Sequence, residues 1–342
     1  MRELVIGDVH FGIKTNSVTW LETQLEFFNK QVIPAIKEKH IDRVIFLGDI
    51  FDIRYAVNQQ VGIEVKSLIR KLSNEYPDIQ IIFIAGNHDY YSPLEEFVQY
   101  NSYQLVFGEE FIKCHPNIKI VDKEPLLLEG GALCLPWYWT ENPEHFDEIL
   151  YRYRFTVEVK EVFCHADLGV WPGGRIASLK GVPVYSGHIH NVTEYEVGNL
   201  HNLGSVLPLT FNDVNEQRYL YIIEDCKIVD KIVNTTTPMF KRVYNEDIFT
   251  LTEADLSNSY MQICIANSNY NKANYIDQLK YLKTTYTDAN IRIHIVDDSE
   301  STTVTFNGEG LNTNINQYIE NNIPEHLESK YQQIKEKVTT EW

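Results

Sequence analysis

Short apolar runs bounded by glycine and small polar residues recur along the first part of the chain. Five of them occupy residues 4–6, 44–47, 81–84, 162–163 and 182–185. Short apolar runs between turn residues are typical of buried strands. Apolar residues recur at helical spacing over residues 18–39, 57–75 and 93–107, with Pro34 expected to kink or break the first helix and Pro93 to open the third. Alternating strands and helices predict an α/β layered domain.

Beyond residue 116 the pattern changes to short strands separated by turns. Over residues 117–135, Gly130 and Gly131 mark a turn between two apolar runs. Residues 143–153 have a helical pattern, and from 182 to 233 short strands alternate with turn residues. Together with the first part, this predicts a β-sandwich flanked by helices.

A polar run that ends in proline, residues 234–238, is expected to be a linker. The patterns after it predict a strand over 260–265, a helix over roughly 269–286 and a strand over 291–296. These three elements suggest a small α+β unit.

The C-terminal part of the chain is predicted to be a tether followed by a helix. Residues 297–310 are polar, and from Pro324 onward one apolar stripe follows helical spacing. The stripe either docks on a partner's coiled coil or packs on its own domain, and the sequence leaves both open. These patterns divide the chain into three parts, residues 1–235, 236–300 and 301–342.

Side chains that bind metals follow all five predicted strands. The segments are Gly7-Asp8-Val9-His10, Gly48-Asp49-Ile50-Phe51-Asp52, Gly86-Asn87-His88-Asp89, Cys164-His165-Ala166-Asp167 and Gly187-His188-Ile189-His190. Strands of an open sheet deliver their ends to one shared edge, where sites form. We therefore expect seven ligand-type residues to converge there: Asp8, His10, Asp49, Asn87, His165, His188 and His190.

This set of oxygen and nitrogen ligands suits two divalent cations. Two metals roughly 3.5–4 Å apart can activate a water and neutralise phosphate oxygens. Asp49 is the expected bridge, because it lies between the other contributors in sequence. Asp8 and His10 are two residues apart on one extended segment, so both can face the same metal. Mixed oxygen and nitrogen ligands favour manganese, iron or zinc over calcium or magnesium.

The five motifs, in this order, resemble those of the calcineurin-like metallophosphoesterase superfamily. The resemblance implies that His88 protonates the leaving oxygen and that the two metal sites share Asp49. The first site would consist of Asp8, His10, Asp49 and His190, and the second of Asp49, Asn87, His165 and His188.

Within that superfamily, the segments Gly-Asp-Val-His-Phe-Gly, Gly-Asp-Ile-Phe-Asp and Gly-Asn-His-Asp-Tyr are similar to those of SbcD nucleases. This resemblance, over roughly residues 1–235, implies a phage-like DNA exonuclease and endonuclease that acts in recombination and double-strand-break processing. Asp52 is a second candidate catalytic residue, since it could orient or tune His88. Many relatives have a histidine at its position, and bacterial and phage relatives tend to have an acid.

The same resemblance implies cofactors and partners. We expect two divalent ions per chain, with manganese favoured and magnesium, iron or zinc as alternatives. The expected partners are an SbcC-like ATPase of the SMC type and double- and single-stranded DNA, in a heterotetramer that contains a homodimer of this chain. The small α+β unit would cap the active site and help to recognise DNA.

Charge and cysteine usage qualify this picture. With 48 acidic and 30 basic residues the formal net charge is −18, whereas a DNA-binding surface needs Lys and Arg to displace phosphate counterions. A partner is therefore expected to supply most of the DNA affinity. The odd number of cysteines, five, indicates buried free thiols in a reducing compartment. We expect a cytoplasmic protein without membrane segments, in the host cytoplasm if a phage encodes it.

Two alternatives remain open from the sequence. One is a stand-alone phosphodiesterase or phosphatase that acts on small substrates. The other is a non-catalytic assembly subunit, which the complete ligand set argues against.

Overall fold

The computed structural model of the protein describes residues 1–92, 99–141, 148, 159–170, 181–194, 199–257, 259–286 and 290–297. The strands in chain order are β1 (Arg2–Ile6), β2 (Arg43–Phe46), β3 (Gln80–Ile84), β4 (Ile118–Val121), β5 (Leu126–Leu127), β6 (Ala132–Leu135), β7 (Glu161–His165), β8 (Val184–Gly187), β9 (Thr193–Glu194), β10 (Leu200–Asn202), β11 (Tyr219–Glu224), β12 (Lys227–Val233), β13 (Met239–Tyr244), β14 (Ser259–Ala266) and β15 (Asn290–Val296). The helices are α1 (Val18–Phe27), α2 (Ile33–Glu38), α3 (Gln59–Glu75), α4 (Ser102–Val106), α5 (Gly108–Cys114), α6 (Trp137–Glu141), α7 (Glu253–Leu256), α8 (Asn267–Tyr270) and α9 (Ala273–Thr285).

Two six-stranded sheets pack face to face and form the predicted sandwich. The first has the order β12-β11-β1-β2-β3-β4, and the second β5-β6-β7-β8-β10-β9. β1 to β4 run parallel to one another, and so do β6, β7 and β8. The predicted α/β fold class is therefore confirmed, and each of the five predicted strands is present.

The strands of the first sheet are apolar on both faces because both faces are covered. In β1, Val5 packs in the core between the two sheets, whereas Leu4 and Ile6 pack against the helices on the outer face. Strands covered on both sides contain continuous apolar runs rather than an alternation of apolar and polar residues. This is why the sequence shows short uninterrupted runs at these positions.

The first predicted helix is confirmed, and Pro34 changes its geometry. Proline has no N–H group, and its ring clashes with the carbonyl four residues earlier in a regular helix. A π-helical turn, Phe28–Val32, separates α1 from α2, and the N–H of Ile33 donates to the carbonyl of Phe28 five residues back. The second predicted helix is confirmed as α3.

The third predicted helix, over 93–107, is wrong at residues 99–101. Asn101 is extended, pairs with Tyr90 in an antiparallel bridge, and caps α4 by accepting a hydrogen bond from the N–H of Gln104. The helix begins at Ser102 because the hydroxyls of Ser102 and Tyr103 both donate to the buried carboxylate of Asp89.

Residues 93–98 lie outside the described residues. So do the predicted helix over 143–153, apart from Glu148, and the predicted tether and tail helix from residue 298 onward.

The predicted small α+β unit contains a third sheet with the order β13-β14-β15, in which all strands are parallel. Leu279 and Leu282 of α9 pack against one face of this sheet. The sequence indicated β14, α9 and β15 but missed β13, where Lys241 and Arg242 interrupt the apolar pattern. The division of the chain at residues 235 and 300 stays a prediction.

The segment between β12 and β13 was expected to be a linker, and side chains anchor it to the sandwich. The Oε1 atom of Gln31 accepts hydrogen bonds from the N–H groups of Thr235 and Thr236 and from the Thr236 hydroxyl. Asn234 is buried and its Nδ2 donates to the carbonyl of Val206 at 2.7 Å. The connection is therefore fixed at its start.

All five cysteines are free thiols, as the sequence indicated, but the expected burial holds only for Cys134, Cys164 and Cys264. Cys114 is exposed because it lies on the solvent face at the end of α5, and Cys226 is half-buried in the turn between β11 and β12. Among the described residues, no helix has both the length and the apolar character needed to cross a bilayer.

A buried ionic cluster lies between the two sheets, at the opposite end from the strand termini that carry the motifs. The guanidinium of Arg43 donates to Glu3 Oε1 at 2.6 Å, and both side chains are almost fully buried. Glu161 at the start of β7 is also buried, and burial together with the charge of Glu3 raises its pKa to about 7. Within the described residues its Oε2 atom has no hydrogen-bond partner.

Replacing Glu161 with glutamine should raise the free energy of unfolding at alkaline pH and change it little near pH 4. The folded-state pKa lies above the value of about 4.3 expected in the unfolded chain. Between these values only the folded state binds the proton, so stability falls as the pH rises. Glutamine cannot ionise, so the variant avoids this fall in stability, which we expect to be about 1–3 kcal/mol. Urea unfolding at both pH values tests it, with exposed Glu22→Gln as the control, and an equal effect at both pH values would contradict it.

Candidate metal centre

The carboxyl ends of β1, β2, β3, β7 and β8 meet at one edge of the sandwich. The residues that follow or end these strands lie close together there, and they come from both sheets. All seven ligand-type residues that the sequence singled out are brought together: Asp8, His10, Asp49, Asn87, His165, His188 and His190.

Asp8, His10 and His190 form a first cluster, whose donor atoms all lie within 4.8 Å of one another. The Nε2 atoms of His10 and His190 are 3.2 Å apart, and His190 Nε2 is 3.8 Å from Asp8 Oδ2. Asp8 is fully buried, and its carboxylate accepts hydrogen bonds from the N–H of His188 at 3.0 and 3.2 Å. The backbone of one motif thus fixes the carboxylate of another.

Asp49, His165 and His188 form a second cluster, and Asn87 lies within it. His165 Nδ1 lies 2.8 Å from the carbonyl of Leu47, so Nδ1 donates there and Nε2 is the ring nitrogen that faces Asn87 and Asp49. The Asn87 Oδ1 atom is 2.9 Å from His165 Nε2 and 2.8 Å from His188 Nδ1. Three donor groups therefore converge on one small volume.

The carboxylate of Asp49 lies between the two clusters. Its Oδ2 is 3.7 Å from His10 Nε2 in the first cluster, and its Oδ1 is 3.4 Å from His165 Nε2 in the second. Oδ1 also accepts a hydrogen bond from the N–H of His88 at 2.8 Å. This is the position that a bridging ligand would need.

His88 lies at the rim of the centre and is held through the backbone of Asp52. His88 Nδ1 is 2.5 Å from the carbonyl oxygen of Asp52, so Nδ1 donates there and Nε2 is the remaining ring nitrogen. The carboxylate of Asp52 faces a different ring, with Oδ1 3.3 Å from His10 Nδ1. The Asp52 carboxylate also lies within 4.8 Å of a ring nitrogen of His88, and the Asp52 carbonyl contacts His88 directly.

Three of the converging residues have a left-handed backbone. The φ angles of His10, Asp49 and His188 are 52°, 48° and 84°. Such conformations cost about 1–3 kcal/mol each in non-glycine residues and persist only where surrounding contacts enforce them. The N–H groups of Val9 and His10 both bond to the carbonyl of Asp49 and provide part of that enforcement. Backbone strain concentrated on the ligand-type residues is typical of functional sites.

Two motif glycines are required because carboxylates occupy the space of a side chain. A Cβ atom at Gly86 would lie 2.3 Å from Asp49 Oδ1, and one at Gly187 would lie 2.3 Å from Asp8 Oδ1. Both distances are far below van der Waals contact. The glycines therefore allow the strand ends to approach the two buried carboxylates.

Burial and mutual charge shift the protonation of the carboxylates and of His165. Burial and the neighbouring Asp49 raise the pKa of Asp8 to about 6. Burial opposes ionisation of Asp49 as well, but His165 and other nearby imidazoles outweigh it and hold the Asp49 pKa well below its usual value. Burial disfavours the cation of His165, but Asp49 and Asp8 outweigh it and raise its pKa to about 9.

His188 and His190 are shifted in the opposite direction. Burial, and to a lesser extent the charge of His165, lowers the pKa of His188 to about 4. Burial, and to a lesser extent the charge of His10, lowers the pKa of His190 to about 4. Both rings are therefore neutral near pH 7, which is the form that binds metals.

Asp89 is a functional residue whose role the sequence did not reveal. Its fully buried carboxylate accepts hydrogen bonds from the N–H of Gly86 at 2.9 Å and from the Tyr103 hydroxyl at 2.8 Å. Burial, and then the charge of Asp49, raise its pKa to about 7. Asp89 thus fixes the loop that contains Asn87 and His88. It was visible as the last residue of its motif, but its partners on α4 were not.

Replacing Tyr103 with phenylalanine should destabilise this loop while keeping the ring in the core. The variant removes the hydroxyl that contacts Asp89 and the carbonyl of Ile84. We expect the free energy of unfolding to fall by about 1–2 kcal/mol, as for a lost buried hydrogen bond. Urea unfolding measures it, with exposed Tyr281→Phe as the matched control. Equal stability of the two variants would contradict this role of Tyr103.

Two further residues position the centre and carry no motif signal. Gln24 of α1 is buried, and its Nε2 donates to the carbonyls of Val9 and His10 at 2.7 and 3.1 Å. Arg218 is buried and donates to the carbonyl of His190, and it is paired with Asp213 at 2.8 Å. Both act on backbone carbonyls, so no local sequence pattern could have identified them.

The donor set fits divalent cations. A cation would neutralise the buried carboxylates of Asp8 and Asp49, and it would accept the lone pairs of His10 and His190, whose Nε2 atoms face each other. Carboxylate and amide oxygens combined with imidazole nitrogens suit manganese, iron or zinc.

A match to a known family agrees with this arrangement. Residues 1–192 match the family model for calcineurin-like phosphoesterases. The chain is 24% identical over 296 residues to exonuclease subunit 1 of Enterobacteria phage T4, covering 82% of this chain and 81% of the relative. Two similar solved structures are the nuclease MPE from Pseudomonas putida (TM-score 0.31, 18% identity, 64% of this chain and 84% of that one) and the phosphoesterase Yfce from E. coli (TM-score 0.33, 12% identity, 69% and 100%).

The family match covers more than half of the chain and includes all of the converging motifs. This chain therefore belongs to the calcineurin-like phosphoesterases, a family of hydrolases that bind divalent metals and cleave phosphate ester bonds.

Proposed function

We propose that this chain is a two-metal DNA nuclease subunit. The observation that carries the proposal is the pair of donor clusters that share the carboxylate of Asp49. Asp8, His10 and His190 would hold one cation, and His165, His188 and Asn87 the other. Manganese is the proposed metal, with magnesium, iron or zinc as alternatives.

When bound, such a pair of cations activates a water and neutralises the phosphate oxygens of a phosphodiester. The residues of the chain supply the remaining functions. His88 is the proposed general acid for the leaving oxygen, because it is half-buried at the rim and its Nδ1 is occupied by the carbonyl of Asp52. Asp52 and Asp89 are proposed to position His88 and the loop that carries it.

DNA as the substrate is supported by two similarities. The motifs resemble those of SbcD nucleases, and the phage relative is named an exonuclease subunit. The word subunit in that name also supports a partner for this chain. We propose an SbcC-like ATPase of the SMC type, in a heterotetramer with two copies of this chain, acting in recombination and double-strand-break processing. Its proposed location is the cytoplasm, of the host cell if a phage encodes it.

The substrate proposal is tested by comparing two substrates with and without manganese. Purified chain is incubated with linear DNA and with a chromogenic phosphodiester. Manganese-dependent degradation of DNA is expected. Hydrolysis of the small diester without any cleavage of DNA, also after addition of the partner ATPase, would instead support a stand-alone phosphodiesterase.

The partner proposal is tested by capture and by truncation. Pull-down from the native host should recover an SMC-type ATPase. Deleting residues 324–342 is expected to abolish that association while the chain still folds. Retained association would place the partner-binding surface elsewhere.

A further inference from the structure

The backbone leaves the second sheet just after His165, and the peptide group at that point is buried. The last register pair between β7 and β8 joins His165 to Gly187. His165 and Ala166 are both fully buried, so the peptide group between them is shielded from water. A buried peptide group at the end of a strand ladder needs hydrogen-bond partners from other parts of the chain.

Two buried hydroxyl groups provide these partners. The N–H of Ala166 donates to Ser186 Oγ at 2.9 Å, and the carbonyl of His165 accepts from Thr140 Oγ1 at 2.8 Å. Thr140 belongs to α6 and Ser186 to β8, and both are buried. The peptide group between His165 and Ala166 is therefore held by side chains from two different elements.

The hydroxyl of Thr140 is also fixed within its own helix. Its Oγ1 lies 2.9 Å from the carbonyl of Trp137, three residues earlier in α6. Threonine hydroxyls in helices commonly contact a carbonyl of the preceding turn. Because a hydroxyl has one proton, the carbonyls of Trp137 and His165 share it. Thr140 thus connects α6 to the main chain of a ligand-type residue.

The hydroxyl of Ser186 connects two of the motifs. Besides accepting from Ala166, its Oγ lies 2.9 Å from the carbonyl of Ala166 and 3.0 Å from that of Gly187, and these two acceptors share its proton. Ala166 follows His165 directly, and Gly187 directly precedes His188. Ser186 therefore fixes the main chain of one motif relative to the other.

Both histidines beside these contacts belong to the second cluster. His165 Nε2 and His188 Nδ1 lie 2.9 and 2.8 Å from Asn87 Oδ1, and the centroids of the two imidazole rings are 5.1 Å apart. The carbonyl of Leu47 fixes the ring of His165, whereas the two hydroxyls fix the main chain that carries it. A small rotation of that main chain would move the ring nitrogens apart.

The first cluster is held by other groups. Gln24 donates to the carbonyl of His10, and Arg218 donates to that of His190. Among the described residues, the hydrogen bonds of the two buried hydroxyls reach no ligand-type residue of this cluster. The hydroxyls therefore act on one half of the metal centre.

We propose that Thr140 and Ser186 are positioning residues of the second metal site and hold His165 and His188 in the orientation that binds the cation. The inference rests on the proposed two-metal function and adds two residues to it. Groups that orient the ligands of a metal typically change its affinity by about 10- to 100-fold. The expected effect is therefore a weaker affinity for one of the two ions.

Four variants separate this role from a general loss of stability. Thr140→Val keeps the shape of the side chain and removes the hydroxyl, whereas Thr140→Ser keeps the hydroxyl. Ser186→Ala removes the second hydroxyl. Ser73→Ala is the matched control, because Ser73 is buried and its hydroxyl bonds to Asn117 Oδ1 at 2.6 Å, near the start of β4 and away from the centre. Thermal unfolding in EDTA shows that each variant is folded.

Calorimetric titration of manganese into the metal-free chain measures the affinities for both ions, and kcat on the chromogenic phosphodiester is measured over a range of manganese concentrations. In Thr140→Val and Ser186→Ala, one ion is expected to bind about 10- to 100-fold more weakly and the other as in the wild type. Excess manganese should restore most of kcat, because the ligands themselves are intact. Thr140→Ser and Ser73→Ala should bind both ions as the wild type does.

Unchanged affinities for both ions in Thr140→Val and Ser186→Ala would overturn this role. An equal loss of both ions would overturn it too, and so would the same loss in Ser73→Ala, since the hydroxyls would then stabilise the fold as a whole. Failure of the two-metal proposal appears in the wild type instead, as binding of fewer than two ions, and would remove the site on which the hydroxyls act.

Discussion

Replacing Asp49 with asparagine is expected to abolish metal-dependent hydrolysis, with a loss of about 10⁴-fold or more in kcat/KM on a chromogenic phosphodiester. Each bound cation contributes several kcal/mol to the transition state, and about 1.4 kcal/mol corresponds to a factor of ten. The carboxylate of Asp49 lies close to imidazole nitrogens of both donor clusters, with Oδ2 3.7 Å from His10 Nε2 and Oδ1 3.4 Å from His165 Nε2. Its loss should therefore affect both cations rather than one.

Elemental analysis after gel filtration in manganese measures this directly. Wild-type chain should carry two metals, and Asp49→Asn should carry neither at comparable metal concentrations. Asp277→Asn, an exposed site on α9, makes the same chemical change far from the centre and should leave both metals bound. Unfolding in EDTA shows whether the variant is folded. Two metals per chain in Asp49→Asn would rule out the bridging role.

Replacing His88 with alanine is expected to keep both metals and to lower turnover on DNA by about 10²–10⁴, the usual contribution of a general acid. His88 is not among the residues that we propose as metal ligands, and its Nδ1 is bound to the carbonyl of Asp52 at 2.5 Å. The remaining nitrogen is then the one that can deliver a proton. A departing sugar oxygen is strongly basic and needs that proton.

The leaving group distinguishes this role from a structural one. A nitrophenolate ion is a weak base and departs without protonation, so the deficit of His88→Ala should shrink on a nitrophenyl diester. A structural defect would instead lower the rates on both substrates equally. Wild-type turnover of DNA in the variant, or loss of metal from it, would refute the assignment.

The sequence predicted best those parts of the site in which a strand and a ligand-type residue are neighbours in the chain. Asp8, Asn87 and His188 each lie within three residues of the end of a buried strand, so the apolar run and the ligand are close together in the chain. The parallel order of the strands then brings their ends together, and that order follows from the general rules for such sheets. This is why the gathering of the motifs could be predicted without a structure.

Contacts that depend on tertiary packing could not be predicted. Hydrogen bonds from Ser102 and Tyr103 to the carboxylate of Asp89 determine the residue at which α4 begins. The helical pattern over 93–107 did not indicate this start. Arg218 and Gln24 donate hydrogen bonds to backbone carbonyl groups. Because every residue has a carbonyl, the sequence does not show which residues they contact. For the same reason, the hydrogen bond between His88 and the carbonyl of Asp52 could not be predicted, although Asp52 was expected to orient or tune His88.

The origin of the ligands in two different sheets has a consequence for the lifetime of the protein. β1, β2 and β3 belong to one layer of the sandwich, and β7 and β8 to the other. A cation held by both layers is a non-covalent cross-link, and it stabilises the native state in proportion to the logarithm of its free concentration. In a metal-starved cell the chain would thus become not only a slower enzyme but an easier target for proteases, so metal supply would control its abundance as well as its rate.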